Sequence, residues 1–127
     1  MEAAVIDSSA ILALLGDEPG GEAVETILAQ SMISAANACE VLSKLIQRGA
    51  THAAAKMIVL TLPCEIVAVD LTSAMEAGVL HAATRAWGLS LADCCCLALA
   101  RIKGLPALTA DRIWAQLDVG VAVQLIR

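Results

Sequence analysis

Short apolar runs alternate with longer stretches of helical periodicity along the chain. The apolar runs predict strands at residues 3–6, 32–33, 65–69, 105–109 and 121–126. Between the strands, the sequence predicts helices over residues 8–15, 22–30, 35–48, 51–62, 72–87 and 90–103, with a short one near 113–117. Glycines stand where several of these helices end, as is usual at helix C-termini: Gly16, Gly49, Gly88 and Gly104.

Strands separated by helices predict βαβ crossovers with helices on both faces of the sheet. We therefore expect an α/β fold, a three-layer α/β/α sandwich with a mostly parallel central sheet. No internal repeat, low-complexity tract or linker interrupts the pattern, which predicts a single domain over residues 1–127. Ligands of such sheets bind beyond the carboxyl ends of the strands, so functional side chains are expected there.

The composition is apolar, with 59% hydrophobic and 17% charged residues, which excludes intrinsic disorder. The longest uncharged stretch, residues 26–39, contains polar positions and is shorter than the roughly 18 apolar residues of a spanning helix. The chain begins Met1-Glu2, without the basic start and apolar stretch of a signal peptide. These features predict a cytoplasmic protein with no membrane segment.

The five cysteines, an odd number, agree with a reducing compartment. Three of them are consecutive, Cys94 to Cys96, and neighbouring helical positions point about 100° apart. This arrangement suits neither a disulfide framework nor a CxxC metal site. We expect the cysteines to act as small buried hydrophobic residues.

The formal net charge is −5 and the sequence pI is about 4.8. An acidic domain lacks the broad basic surface that gives proteins their non-specific affinity for nucleic acid. Any activity on nucleic acid must therefore depend on a local site, a partner or an oligomer. The surplus of acidic residues can instead be concentrated where a metal ion binds.

Four acidic residues leave, or lie just beyond, the carboxyl ends of predicted strands. Asp7 directly follows the first strand, and Asp111 follows the fourth. Asp93 lies in the first turn of the helix over residues 90–103, and Glu40 lies in the second turn of the helix after the second strand. In a parallel sheet all four side chains face the same crevice.

Each of these acids also has a purely structural explanation. Asp7 and Asp111 can be N-caps of the helices that follow, and Asp93 stands at the capping-box distance from the serine before its helix. Glu40 and Lys44 are spaced i, i+4, as in a common solvated ion pair. Capping alone does not require acids at three strand ends, so the set as a whole favours a functional site.

The grouping has a chemical reason. Clustered carboxylates repel one another, and burying them without a partner is costly. A hard divalent cation such as Mg²⁺ or Mn²⁺ removes this cost and prefers oxygen ligands. Such a metal polarises a phosphoryl oxygen and generates hydroxide from water near neutral pH, so the acid set suits metal-assisted hydrolysis of a phosphodiester bond.

Four segments of the chain resemble motifs of the PIN-domain family, specifically the VapC type of toxin in type II toxin–antitoxin pairs. They occur in the family's order: Val5-Ile6-Asp7-Ser8-Ser9-Ala10, Ala38-Cys39-Glu40-Val41, Leu89-Ser90-Leu91-Ala92-Asp93 and Leu108-Thr109-Ala110-Asp111-Arg112. The resemblance covers nearly the whole chain and implies an α/β/α sandwich. It also implies endoribonuclease activity that depends on Mg²⁺ or Mn²⁺, an RNA substrate, homodimerisation and neutralisation by a VapB-type antitoxin.

The resemblance further implies which residues act. Asp7 and Asp93 become the principal metal ligands. Glu40 and Asp111 complete the catalytic acidic site, directly or through water. Two other acids beside strands lack the family's motif context and are expected at caps or on the surface: Asp70 and Asp118.

Several polar side chains near these acids are candidates for supporting roles. Ser9 and Thr109 can donate hydrogen bonds that orient the carboxylates, and Asn37, one helical turn before Glu40, can do the same. Each is equally well explained as an ordinary cap or turn residue. Lys44 shares the helix face of Glu40 and can meet a substrate phosphate, although an ion pair with Glu40 is the favoured interpretation.

Few other residues suggest a role in RNA recognition. Trp87 and Trp114 are the only aromatic residues; they are expected in the core or an interface and offer no stacking platform for single strands. His52 and His81 have no acidic or thiol partner at ligand spacing, which argues against a histidine as general base.

Other proteins with an acid after the first strand fit the sequence less well. Phosphoaspartate phosphatases need a second Asp where this chain has Ser9, and receivers need a Lys where it has Thr109. A dinucleotide-binding domain needs GxGxxG after the first strand, and 127 residues leave little room for the clamping arch of a structure-specific DNA nuclease. The remaining alternative is a non-catalytic PIN-fold interaction module that binds a partner protein, against which the intact acid set argues.

Overall fold

The centre of the fold is a sheet of five strands in the order β3-β2-β1-β4-β5. In the computed structural model, which describes residues 2–127, the strands are β1 Val5–Ile6, β2 Met32–Ser34, β3 Glu65–Val67, β4 Ala107–Thr109 and β5 Val123–Leu125. Every neighbouring pair is parallel, and Val5 of β1 is aligned with Met32 of β2 and with Ala107 of β4. The sheet that the sequence predicted to be mostly parallel is therefore parallel throughout the described residues.

Six α-helices flank the sheet within residues 2–127. They are α1 Ser8–Leu15, α2 Gly21–Ile27, α3 Ala35–Gln47, α4 His52–Leu60, α5 Leu71–Ala83 and α6 Leu91–Lys103. Short 3-10 helices cover Leu28–Gln30, Arg85–Trp87 and Arg112–Gln116. Each of α3 to α6 starts after a side chain that accepts a hydrogen bond from a backbone N–H of the first turn: Ser34, Thr51, Asp70 and Ser90.

The sheet separates two hydrophobic cores, and the two residues of β1 face opposite cores. Val5 packs in a core with residues of α5 and α6, among them Leu97. Ile6 packs in a second core with residues of α1, α2 and α3, among them Ile11 and Val41. Because helices cover both faces of the sheet, the predicted three-layer α/β/α sandwich is confirmed.

Two predicted helices end early in the structure, and each is followed by a 3-10 helix. The helix predicted over residues 72–87 stops before Thr84, and a separate 3-10 helix follows. The Thr84 hydroxyl donates to the carbonyl of Leu80 at 2.7 Å, which satisfies a polar group inside the core where the helix ends. The helix predicted over residues 22–30 likewise ends at Ile27 and continues as a 3-10 turn.

The carboxyl ends of the strands lie at one edge of the sheet, as parallel pairing requires. There β1 leads directly into α1, β2 into α3, and β4 toward the 3-10 helix Arg112–Gln116. Since α6 precedes β4 and runs back along the sheet, its first turn lies at the same edge. Within the described residues, no helix has both the length and the apolar character needed to cross a bilayer.

Candidate metal centre

Three carboxylates from separate segments meet at this edge of the sheet. Asp7 precedes α1, Glu40 lies in the second turn of α3, and Asp93 lies in the first turn of α6. One oxygen of each carboxylate lies within 4.8 Å of the other two. They line a cleft of about 190 Å³, together with Ser8, Ser9, Leu12, Lys44 and Asp111.

Asp7 is the most buried member of this cluster, with 3% of its surface exposed. Its Oδ2 accepts hydrogen bonds from the hydroxyls of Ser9, at 2.6 Å, and Thr109, at 2.8 Å. Burial raises the pKa of Asp7 to about 6; the two hydroxyls oppose this rise, and the negative charges of Asp93 and Glu40 add to it. Asp7 occupies the N-cap position of α1 but makes no capping hydrogen bond, so capping does not explain its presence.

Ser9 and Thr109, which the sequence analysis selected as supporting residues, form a small network around Asp7. Their hydroxyl oxygens lie 3.2 Å apart. Ser9 Oγ also accepts a hydrogen bond from the N–H of Ala110, and Thr109 Oγ1 accepts one from the N–H of Asp111, both at 3.0 Å. The segment after β4 thus fixes the two hydroxyls that hold the Asp7 carboxylate.

Glu40 is held by a residue that the sequence analysis missed. Ser8 is buried, and its Oγ donates a hydrogen bond of 2.6 Å to Oε1 of Glu40. The sequence offered only a weak signal, because a serine directly after Asp7 at the start of α1 reads as an ordinary helix-start residue. The contact becomes visible only when α1 and α3 are packed side by side.

Asn37 links two of the three carboxylates. It is fully buried, and its Nδ2 lies 2.9 Å from Ser8 Oγ and 3.4 Å from both Asp7 Oδ1 and Glu40 Oε1. Its Oδ1 has no hydrogen-bond partner among the described residues. The amide N–H groups therefore face the carboxylates and lie between Asp7 and Glu40.

Asp93 is both a capping residue and a member of the cluster. Its Oδ2 accepts a hydrogen bond from the N–H of Ser90 at 2.9 Å, and Ser90 Oγ accepts one from the N–H of Asp93 at 3.1 Å, so the expected capping box is present. Burial raises the pKa of Asp93, the bond from the Ser90 N–H opposes the rise, and the charge of Glu40 adds to it. Since a carboxylate has two oxygens, the cap leaves one of them without a capping bond.

Asp111 lines the same cleft as the other three acids, as expected, but it is not a member of the cluster of three carboxylates. It is exposed, and its Oδ1 accepts a hydrogen bond from the N–H of Ile113 at 3.1 Å. This bond caps the 3-10 helix Arg112–Gln116, where the sequence predicted a short helix near residues 113–117. The charge of Asp111 still acts on the site, because it contributes to the raised pKa of Asp93.

The favoured ion pair between Glu40 and Lys44 is absent, which corrects the sequence interpretation. The Lys44 ammonium lies within 4.0 Å of no carboxylate oxygen in residues 2–127. Glu40 is engaged inside the cleft by Ser8 and Asn37, whereas Lys44 is exposed one turn further along α3. Lys44 nevertheless lines the same cleft as the carboxylates.

The cysteines follow the expectation of burial only in part. All five are free thiols. Cys94 and Cys96 are buried in the core, and Cys64 and Cys95 are half-buried. Cys39 is exposed, so the expectation is wrong at that position.

Residues expected outside the site lie outside it. Asp70 caps α5 by accepting a hydrogen bond from the N–H of Ser73, and Asp118 is exposed.

Trp114 is fully buried in the core, whereas Trp87 is 43% exposed in the 3-10 turn after α5 and does not belong to the core.

The donor set fits a hard divalent cation. The three neighbouring oxygens all belong to carboxylates, and within the described part of the chain no Lys, Arg or His forms an ion pair with any of them. Burial and mutual repulsion disfavour the charged forms of Asp7 and Asp93, and a bound cation removes that cost. Carboxylate oxygens suit Mg²⁺ and Mn²⁺ better than they suit soft metals.

Comparisons with known proteins agree with this architecture. A solved structure described as a toxin–antitoxin complex from Klebsiella pneumoniae matches with a TM-score of 0.74 and 20% identity, covering 98% of each chain. A DNA-bound VapBC from Salmonella typhimurium matches with a TM-score of 0.75 and 16% identity, covering 100% of each chain. The Mycobacterium tuberculosis toxin VapC20, described as cleaving the sarcin-ricin loop, matches with a TM-score of 0.73 and 23% identity over 95% of this chain and 99% of that one.

At the level of sequence, no curated protein matches the chain. A family model described as the PIN domain matches residues 4–120. This match spans nearly the whole sequence and includes every residue of the acidic cleft. The protein therefore belongs to the PIN domain family.

Proposed function

We propose that this protein is a metal-dependent endoribonuclease and the toxin of a type II toxin–antitoxin pair. The observation that carries the proposal is the meeting of Asp7, Glu40 and Asp93 within 4.8 Å at the carboxyl edge of the sheet. Membership of the PIN domain family supports a nuclease. RNA as the substrate is supported by the sarcin-ricin loop cleaving toxin among the structures of the same fold.

Asp7, Glu40 and Asp93 are the residues that would hold Mg²⁺ or Mn²⁺, and Asp111 would contribute from the rim, directly or through water. Such an ion, when bound, polarises a phosphoryl oxygen and lowers the pKa of a water molecule. The chain itself supplies three carboxylate donors in a cleft at the carboxyl edge of the sheet. The site therefore suits hydrolysis of a phosphodiester bond.

Four neighbouring side chains keep these donors in place. Ser9 and Thr109 donate to Oδ2 of Asp7, and this leaves Oδ1 as the oxygen with fewer short hydrogen bonds. Ser8 and Asn37 hold Oε1 of Glu40. Partners of this kind orient metal-binding carboxylates and raise metal affinity.

A VapB-type antitoxin is the proposed partner, in the cytoplasm. Solved VapBC structures of the same fold from Salmonella typhimurium and Haemophilus influenzae support this choice. Because the cleft is acidic and the chain carries a net charge of −5, we expect the antitoxin to insert basic residues into the cleft. An antitoxin that binds wild type and the Glu40→Gln variant with equal affinity contradicts this expectation.

A homodimer is also proposed, and an exposed apolar stripe on α5 supports it. Leu71, Met75 and Val79 are spaced four residues apart and are 75%, 63% and 66% exposed. Apolar side chains gathered on one helix face are typical of a protein interface. Sedimentation velocity should show a dimer for wild type and a monomer for Met75→Glu; a monomeric wild type contradicts the proposal.

RNA cleavage mapping tests the proposed activity. The purified chain is incubated with total cellular RNA in the presence of Mg²⁺, Mn²⁺ or chelator, and the new ends are sequenced. We expect discrete cleavage sites with metal and none with chelator or with the Asp7→Asn variant. Asp118→Asn, which removes the same charge from an exposed position outside the cleft, should cleave like wild type.

Two results would contradict the proposal in different ways. Cleavage by Asp7→Asn at the wild-type rate, after contaminating nucleases are removed, refutes the assigned site. A folded wild type that binds Mn²⁺ but cleaves no RNA favours the alternative, a non-catalytic PIN-fold interaction module.

A further inference from the structure

Lys44 is the one cationic side chain among the described residues that line the acidic cleft. It stands four residues after Glu40 on α3, so the two Cβ atoms lie on the same helix face, about 5–6 Å apart. Its ammonium makes no hydrogen bond or ion pair within residues 2–127. A positive charge is thus held beside the carboxylates without being neutralised by them.

Lys44 forms no ion pair with Glu40 because other side chains hold the Glu40 carboxylate. The carboxylate that an i, i+4 lysine would normally bind is turned into the cleft by the hydroxyl of Ser8 and the amide of Asn37. By contrast, Arg48, the residue directly after α3, forms an ion pair with Glu18 at 3.6 Å. Lys44 is therefore the cation of α3 that remains available for an external anion.

We propose that Lys44 binds a phosphate of the RNA backbone beside the metal centre and thereby sets the affinity for substrate. This inference rests on the proposed ribonuclease function and adds a substrate contact to the same site. An acidic cleft repels a polyanion, so a single unpaired ammonium at its border has a large relative effect on RNA binding. Lysine suits this role because its ammonium binds phosphate as a point charge on a flexible stem.

The test compares steady-state cleavage of a short RNA that contains a mapped site, at saturating Mn²⁺ and several KCl concentrations. Lys44→Gln should raise KM about tenfold while kcat changes by no more than about twofold, because a contact made equally in ground and transition state affects binding alone. The slope of log(kcat/KM) against log[KCl] should become shallower by about 0.7, the value for one phosphate contact to a single strand. Lys44→Arg, which keeps the charge, should retain most of the wild-type affinity.

Lys56→Gln is the matched control, since Lys56 is an exposed cation on α4 that does not line the acidic cleft. It removes the same charge and should leave both KM and the salt slope at wild-type values. The Mn²⁺ dissociation constant of Lys44→Gln should not increase, which separates a substrate contact from a disturbed metal site.

Each remaining outcome overturns a defined part of the account. If wild type cleaves RNA but Lys44→Gln has the KM and salt slope of Lys56→Gln, the phosphate contact is refuted and the ribonuclease function stands. A loss of kcat with an unchanged KM also refutes a contact that acts on substrate affinity. If wild type cleaves no RNA with metal, the proposed function fails and the inference fails with it.

Discussion

The hydroxyl of Ser8 donates a hydrogen bond of 2.6 Å to Oε1 of Glu40, 32 positions further along the chain. The bond joins the first turn of α1 to the second turn of α3, the helices that follow the paired strands β1 and β2. The same hydroxyl accepts a hydrogen bond from Nδ2 of Asn37 at 2.9 Å. One small side chain therefore fixes the position of a carboxylate in the candidate metal centre.

Replacing Ser8 by alanine should weaken Mn²⁺ binding about tenfold, because loss of a partner that orients a ligand typically lowers metal affinity by that amount or more. The electron paramagnetic resonance signal of free Mn²⁺ gives the dissociation constant directly. Ser8→Thr keeps the hydroxyl and should retain most of the affinity. Ser43→Ala removes an exposed hydroxyl from α3 and should have no effect, and equal affinities for Ser8→Ala and Ser43→Ala would refute the role of Ser8.

Replacing Thr109 by valine should raise the pKa of Asp7 beyond its value of about 6, because the lost hydroxyl stabilises the charged carboxylate. Valine has nearly the same shape, so packing in this buried position is retained. The measurement is an NMR titration of the aspartate side-chain carboxyl carbons in metal-free protein. Thr26→Val, at an exposed position in α2, is the control, and an unchanged Asp7 pKa in Thr109→Val contradicts the assigned hydrogen bond.

The stability of the metal-free protein should fall as the pH rises from about 4 to about 6. The pKa of Asp7 is raised from 3.8 to about 6 in the folded state. The folded state therefore binds the proton more tightly than the unfolded state, and the stabilisation present below pH 4 is lost as the pH passes through 6. The loss from this group is on the order of 3 kcal/mol, and Asp93 acts in the same direction.

Urea unfolding in chelator at several pH values measures this loss. The difference between wild type and Asp7→Asn isolates the contribution of Asp7, because all other titrating groups are shared. Asp7→Asn should lack the part of the stability loss that comes from Asp7. Wild type in excess Mn²⁺ should lose less stability over the same pH interval, because a bound cation favours the charged acid. Identical pH profiles for wild type and Asp7→Asn in chelator would contradict the burial of a charged Asp7.

Much of the fold could be predicted because the sequence carries clear signals for the ends of its helices and for its short strands. Capping side chains such as Ser90 and glycines such as Gly104 delimit helices, and the short apolar runs between them are long enough only for strands. The interruption at Thr84 was missed, because neither a glycine nor a proline marks a break there in the helical pattern of residues 72–87.

The site was predictable where a residue's position in the sheet decides its location. Asp7 directly follows a central strand. Because the strands are parallel, a residue in this position must lie at the carboxyl edge of the sheet. The same rule places Asp111 in the cleft, but it does not separate Asp111, whose Oδ1 caps the following 3-10 helix, from the three clustered carboxylates. Ser8 and Lys44 depend on how α1 and α3 pack side by side, which periodicity does not specify.

Gly20→Ala should destabilise the protein by about 1–3 kcal/mol. Gly20 has a φ of 91°, and a Cβ there would overlap the carbonyl oxygen of Ile126, a backbone atom that cannot move freely. Gly78→Ala is the matched control: its Cβ would meet nothing within 4 Å on α5, and the change should stabilise by about 0.5–1 kcal/mol. Urea unfolding gives both values, and a Gly20→Ala variant as stable as wild type contradicts the close approach.

The central claim is that Asp7, Glu40 and Asp93 form a single binding site for a divalent cation. Calorimetric titration of metal-free protein with MnCl₂ tests this claim most directly. The titration compares wild type, Asp7→Asn and the charge-matched Asp118→Asn, and unfolding curves show that all three are folded. We expect saturable binding by wild type and Asp118→Asn and no measurable binding by Asp7→Asn. Absence of binding by folded wild type, or equal binding by Asp7→Asn, would contradict the claim.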